Sequence, residues 1–208
     1  MDLATTFTRP LVIACGALAS ELRAVLARHG LDGQLDVRYL PANLHNRPER
    51  IAPAVDALLA DAGDRPVLVA YADCGTGGGL DAVLARHPDA SRLPGPHCYE
   101  VFAGPEAFAR LHDEEPGTFF LTDFLARHFD ALVWQGLGLD RHPQLLDTYF
   151  GNYRRVVLLS QSDDPSVVAA GERAAARLGL SFVHRHVGRD GLAAAVVPVA
   201  VMVGRRAA

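Results

Sequence analysis

The chain of 208 residues contains no lysine, so all 20 of its basic residues are arginines. This absence excludes a Schiff-base mechanism and a phosphate-binding loop of the kind that depends on lysine. The net charge is −4 and most of the arginines are scattered singly, without the basic stripe that is typical of nucleic-acid binding. We therefore expect no nucleic-acid partner and favour a small-molecule substrate.

Cysteine is also scarce, with only three residues, and they are far apart in the chain. An odd and widely spaced set does not form the disulfide framework of a secreted protein, which favours a reducing compartment. The first ten residues have neither a basic start nor an apolar segment, so we expect a cytoplasmic protein. The apolar run from Leu192 to Val203 is too short to span a bilayer, and predicts a buried terminal element or an oligomer contact.

Apolar runs alternate with helical patterns along most of the chain, which predicts a three-layer α/β domain with a mainly parallel sheet. Half of the residues are hydrophobic, enough for a full core, and no linker divides residues 1–208 into separate domains. The interval 94–139 has little strand character and is predicted to form a helical cap. Within it, the pattern predicts a helix that Thr118 caps and that continues through Phe129.

Two of the apolar runs end near a cysteine followed by glycine. Leu11–Cys15 stops at Cys15-Gly16, and the run from Val67 leads to Cys74-Gly75. Because ligands collect at the carboxyl ends of parallel strands, we expect both thiols to face one crevice. A stiff segment rich in proline would deliver Cys98 to the same place.

Three thiolates predict a soft metal, with Cys15, Cys74 and Cys98 as its ligands. Zinc with an open coordination position and a [4Fe-4S] cluster with an open iron are both compatible with this set. His45, His97 and Glu100 are candidates for a fourth ligand. The competing interpretation is that the three cysteines are ordinary packing residues.

Other residues around these cysteines are candidates for catalysis or binding. Asp73, His97 and Glu100 are candidate acid-base groups, although a turn aspartate that bonds its own backbone is an equally good interpretation of Asp73. His45 lies in a loop at a strand end, where an ordinary solvated loop is the alternative. A glycine-rich turn follows Cys74 and could cradle an anion; its residues are Gly75, Thr76, Gly77 and Gly78.

Six motifs together resemble a family of uncharacterised bacterial and archaeal proteins, often encoded beside corrinoid-dependent methyltransferases that act on methylamines. The resemblance covers nearly the whole chain and implies a cytoplasmic protein of one-carbon metabolism, with a corrinoid protein or methyltransferase as a possible partner. The motifs are Ala14-Cys15-Gly16, Asn43–Asn46, Asp73–Gly78, Gly95–Glu100, Gly117–Thr122 and Gly138–Pro143.

Three functions follow as hypotheses. The first is a metal-dependent enzyme or accessory enzyme of methyl-group metabolism that acts on a small molecule. The second is a non-catalytic module that delivers a metal, a cluster or a corrinoid to a methyltransferase. The third is an iron-sulfur lyase or dehydratase with an open iron. Self-association is a further possibility for any of them.

Overall fold

The structure is a computed structural model that describes the backbone of residues 9–206 and the side chains of residues 9–201. Contacts between residues divide the chain into two compact units. The first contains the residues up to Cys98 and those from Leu192 onward, and the second is Tyr99–Gly191. Each unit is built around its own sheet.

The sheet of the first unit has four strands in the order β2-β1-β3-β4, and every neighbouring pair is parallel. Its central strands read as continuous apolar runs because all of their residues are buried, as expected for a sheet covered on both faces. The strands are β1 Leu11–Cys15, β2 Asp36–Leu40, β3 Val67–Ala70 and β4 Ala90–Arg92.

Amphipathic helices connect these strands. The second helix, for example, buries Ile51, Val55 and Leu59 at helical spacing, and each such side chain contributes about 1.5–3 kcal/mol of hydrophobic stabilisation. The terminal helix buries Leu192, Val196 and Ala200 in the same way. The helices are α1 Ala19–Arg28, α2 Ile51–Ala62, α3 Gly79–Leu84 and α9 Asp190–Arg206, with 3-10 turns at Gly16–Leu18, Ala42–Asn46 and Pro48–Arg50.

The sheet of the second unit has three parallel strands in the order β5-β6-β7. Alternate residues of its central strand belong to two separate core clusters: Val156 and Leu158 pack in one, and Val157 and Leu159 in the other. Because successive side chains of a strand point to opposite faces, the sheet is covered on both sides. The strands are β5 Thr118–Leu121, β6 Arg155–Ser160 and β7 Ser181–His186.

The helices of the second unit include one segment of π-helix, at Asp130–Trp134. Its longest helix begins at the N-cap Asp164 and ends at Gly179, whose left-handed backbone closes the last turn. The helices are α4 Cys98–Ala103, α5 Pro105–Glu114, α6 Asp123–Arg127, α7 Leu145–Phe150 and α8 Pro165–Leu178.

The predicted class, α/β with layers of helices on mainly parallel strands, is confirmed, but its strands form two sheets. The prediction of a helix that begins at Thr118 was wrong, because Thr118–Leu121 is strand β5. A strand buried on both faces has no polar alternation that distinguishes it from a buried helix. The helix starts only at Asp123, and the hydroxyl of Thr122 caps it by accepting from the Leu125 N–H.

No helix within residues 9–206 has both the length and the apolar character required to cross a bilayer.

Candidate thiol site

Cys15 and Tyr71 lie at the carboxyl ends of adjacent strands. Cys15 is the last residue of β1, and Tyr71 immediately follows β3, which pairs with β1 in parallel register. Cys74 comes four residues after the end of β3. The sheet of the first unit therefore places these three side chains at the same edge, where open α/β sheets bind ligands.

The sulfur of Cys15 is almost completely buried, with 2% of the residue exposed. It accepts a hydrogen bond from the Ala17 N–H at 3.3 Å and lies 3.6 Å from His45 Nδ1. Burial raises the pKa of the Cys15 thiol, and this effect outweighs the opposing contacts with Ala17, Tyr71 and Leu18. Cys15 therefore keeps its proton at neutral pH unless a bound cation displaces it.

Gly16 explains how His45 reaches Cys15. A Cβ atom at Gly16 would lie 2.9 Å from the Leu40 carbonyl oxygen and 3.2 Å from the Ala42 nitrogen. Only glycine permits the loop after β2 to pass this close to the end of β1. Cys15 thus supplies a candidate ligand atom, and Gly16 leaves the space that the loop with His45 requires.

His45 lies on the 3-10 turn Ala42–Asn46, with its ring exposed on one side and Nδ1 directed toward the protein. Nδ1 is 3.1 Å from the Ala42 carbonyl oxygen as well as 3.6 Å from Cys15 Sγ. Burial acts to lower the pKa of His45. The hydrogen bond and charge of Cys74, together with the Ala42 carbonyl, outweigh it and raise that pKa.

The loop that carries Cys74 consists of two consecutive turns with positive φ. Thr76 N donates to Asp73 O across Cys74 (φ 51°) and Gly75 (φ 82°), and Gly79 N donates to Thr76 O across two glycines. Positive φ at both central positions is typical of type I′ turns. Cys74 is the one residue other than glycine with positive φ among those described.

A non-glycine residue in this conformation costs about 1–2 kcal/mol. Glycine at position 74 would avoid the cost but would place no sulfur at the sheet edge. Strain of this kind concentrates at functional sites, which makes Cys74 a candidate functional residue.

The carboxylate of Asp73 holds the loop together. It accepts hydrogen bonds from Thr76 Oγ1 at 2.7 Å, Gly78 N at 2.9 Å and Gly77 N at 3.2 Å. These hydrogen bonds lower the pKa of Asp73, and the bond from Thr76 has the largest effect. Asp73 is therefore a weak base. The amides of Gly77 and Gly78 donate to Asp73, so these two groups are not free for the anion that the turn was predicted to cradle.

Tyr71 has the one buried side-chain polar atom without a hydrogen-bond partner among the described residues. The residue is 1% exposed. Burial raises the pKa of its hydroxyl, and the charge and side-chain contact of Cys15 and the charge of Cys74 raise it further. A protonated donor is therefore buried against the Cys15 sulfur, in a contact without the full geometry of a hydrogen bond.

Two backbone hydrogen bonds attach the segment before Cys98 to the Cys74 loop. Asp73 N donates to Gly95 O at 3.1 Å, and Cys74 N donates to Pro96 O at 2.8 Å. His97 and the half-buried Cys98 follow directly, and Cys98 begins α4. Glu100 lies farther along α4, in the second unit.

Arg92 supports this segment from the end of β4. It binds both carboxylate oxygens of Asp81, at 2.5 and 2.9 Å, and donates to the carbonyl oxygens of Leu93 and Gly95. The sequence prediction missed Arg92 because β4 has only three residues. It also missed Tyr71, although a hydroxyl-bearing residue at the end of an apolar strand was visible in the sequence.

Within the part of the chain that the structure describes, no three His, Cys, Asp or Glu side chains already converge as a set of metal ligands. Cys15 Sγ and His45 Nδ1 lie 3.6 Å apart, and Cys74 acts on the same imidazole.

The family model described as "Protein of unknown function (DUF1638)" matches residues 39–196, about three quarters of the chain. The match includes His45, Cys74 and Cys98, whereas Cys15 precedes it. No curated protein matches the chain.

Proposed function

The chain belongs to the DUF1638 family, and we propose that it is a metal-dependent enzyme or accessory enzyme that acts on a small molecule. Zinc is the proposed metal, with Cys15, Cys74 and Cys98 as ligands and His45 as a fourth contact. The site is the thiol site at the carboxyl edge of the first sheet.

The buried hydroxyl of Tyr71 is the observation that carries this proposal. A buried donor without a partner costs about 1–3 kcal/mol, and native proteins retain few such groups. A bound ligand that accepts a hydrogen bond beside Cys15 and Cys74 would remove that cost. This hydroxyl therefore supports a ligand site at this position.

The distance between Cys15 and His45 supports a metal as part of that ligand. Bonds of about 2.3 Å to sulfur and about 2.0–2.1 Å to nitrogen at a tetrahedral angle separate the two ligand atoms by about 3.5 Å. Cys15 Sγ and His45 Nδ1 are 3.6 Å apart. Thiolate and imidazole are soft to borderline ligands, which suit zinc and exclude magnesium and calcium as the preferred ion.

When bound, zinc would supply Lewis acidity and keep a coordinated thiol deprotonated at neutral pH. The residues around it have separate tasks. Tyr71 donates a hydrogen bond to the group bound beside the sulfurs. Asp73 and Arg92 hold the two segments that present Cys74 and Cys98, and Gly16 keeps the His45 loop in place.

Methyl-group metabolism is the proposed setting of the reaction. It is supported by the resemblance of the cysteine motifs to proteins encoded beside corrinoid-dependent methyltransferases. A thiol that zinc holds as a thiolate is a competent methyl acceptor, which fits the donor set of this site.

The test is metal analysis of protein purified without oxygen. We expect about one zinc per chain in the wild type and loss of most of it in Cys74→Ala and Cys74→Ser, with unchanged circular dichroism. His142→Ala, which removes an exposed histidine of the second unit, is the matched control and should retain the zinc.

Other outcomes would replace the proposal. Brown protein with iron and sulfide would favour the [4Fe-4S] lyase. Zinc that passes to a corrinoid methyltransferase, without turnover of any small molecule, would favour a delivery module. Folded wild-type protein that binds neither metal would refute the metal site.

A second candidate is an enzyme that uses Cys74 as a nucleophile without a metal. Two observations favour it: the strained backbone of Cys74, and the contact with Cys74 that raises the pKa of His45. In metal-free wild-type protein, alkylation by iodoacetamide that is faster at Cys74 than at Cys98 would support this candidate.

A further inference from the structure

The second unit contains a cavity of about 470 Å³ between α8 and the segment that combines α6 with the π-helix. Its volume is within the range of small-molecule sites, about 300–1,000 Å³. None of the residues in the thiol site lines it.

The cavity exists because small side chains line its walls. Ala170 and Ala174 are four residues apart on α8 and so lie on the same helix face, and Ala126 lines the cavity from α6. Ala126, Phe129 and Ala174 are at most 5% exposed, which makes the floor of the cavity apolar.

Three arginines surround this floor, and two of them are engaged in ion pairs. Arg127 binds Asp164 at 3.0 Å, and Arg177 pairs with Asp130 while stacking on the Trp134 ring at 3.9 Å. Arg173 is exposed and makes no ion pair or hydrogen bond to any described residue. Its five N–H donors are available at the mouth of the cavity.

We propose that this cavity binds a small organic anion, with a phosphate or carboxylate group on Arg173 and an apolar body on the alanine and phenylalanine floor. A planar guanidinium pairs with both kinds of anion through two parallel hydrogen bonds. Asp164 and Asp130 neutralise Arg127 and Arg177, so Arg173 is the guanidinium that binds the anion. The site does not depend on the proposed function of the thiol site.

Calorimetric titration with phenyl phosphate, benzoate and inorganic phosphate tests this site in the full-length protein. We expect saturable binding of phenyl phosphate or benzoate to the wild type. The probe that binds more tightly shows whether the site prefers a phosphate or a carboxylate group. Arg173→Ala should weaken that binding at least about tenfold, the loss expected for a hydrogen bond to a charged group. Arg110→Ala removes an exposed arginine of α5 outside the cavity and should leave binding unchanged.

Ala170→Leu tests the apolar floor separately, because a leucine would fill part of the cavity. It should weaken the aromatic probe and leave inorganic phosphate unaffected. Absence of saturable binding of both aromatic probes to the wild type would overturn the proposal. Equal losses in Arg173→Ala and Arg110→Ala would also overturn it, since they would indicate general charge attraction.

Discussion

The two sheets differ at the edge where parallel strands end. In the first unit this edge has the sulfurs of Cys15 and Cys74 and the unpartnered hydroxyl of Tyr71. In the second unit the corresponding edge is polar, and its buried groups satisfy one another.

Asp123 and Gln161 make up most of that polar edge. Asp123 Oδ1 accepts from Gln161 N at 2.8 Å, Gln161 Oε1 accepts from Asp123 N at 3.0 Å, and Asp123 Oδ2 accepts from the Ser162 hydroxyl. Ser160 Oγ lies 2.8 Å from His184 Nε2 and 3.1 Å from His186 Nδ1.

The comparison separates buried polar groups that are satisfied from one that is not. A satisfied buried network stabilises the native state without any ligand, whereas an unsatisfied buried donor reduces stability. Removal of a polar group should therefore destabilise the protein at the edge of the second sheet and stabilise it at Tyr71, at the edge of the first.

The largest effect is expected for Asp123→Ala. This change leaves the buried Gln161 N–H without its acceptor and also removes the partner of Ser162, so we expect a loss of about 3 kcal/mol in the free energy of unfolding. Urea denaturation measures it. Asp163→Ala, at an exposed neighbour, should cost less than about 0.5 kcal/mol, and similar losses in both variants would contradict the comparison.

Smaller changes in stability are expected when a hydroxyl group is removed from either edge. Ser160→Ala should cost about 1 kcal/mol, because its hydroxyl contacts two histidines. In metal-free protein, Tyr71→Phe should stabilise by about 1 kcal/mol, because it removes a buried hydroxyl that has no partner. Thermal unfolding of both variants measures whether each change lowers or raises the stability of the protein. Destabilisation by Tyr71→Phe would show that the Tyr71 hydroxyl already has a hydrogen-bond partner.

The smallest effect is on the pH dependence of stability. Hydrogen bonds from Arg92 hold the pKa of Asp81 below its ordinary value. The pKa of Asp81 is therefore lower in the folded than in the unfolded protein. The ion pair with Arg92 stabilises the fold fully above about pH 4, and this stabilisation is lost as the pH falls through the folded pKa. Because Asp81 is exposed to solvent, the effect is modest.

The urea midpoint between about pH 5 and about pH 2.5 measures this contribution. Asp81→Asn should flatten the curve below about pH 4. Parallel curves for the two proteins would mean that the ion pair of Asp81 with Arg92 does not stabilise the fold.

Several parts of this molecule were predictable from local pattern. The continuous apolar runs at Leu11–Cys15 and Arg155–Ser160 specify strands buried on both faces, and Asp164-Pro165 with Gly179 specifies the ends of α8. The sequence also indicated that Cys15 and Cys74 follow strand ends. Strand β5 was not predictable, because a doubly buried strand of four residues has the same apolar pattern as a helix turn.

The sequence by itself determined the α/β class and the absence of lysine chemistry, because composition and hydrophobic period are local properties. Only the tertiary structure decided that Cys15 meets His45 across 30 positions, that Tyr71 is buried without a partner and that Asp73 is committed to its own loop. These facts depend on which strands are neighbours and on where each hydrogen bond finds its acceptor, and neither is encoded in any single stretch of the chain.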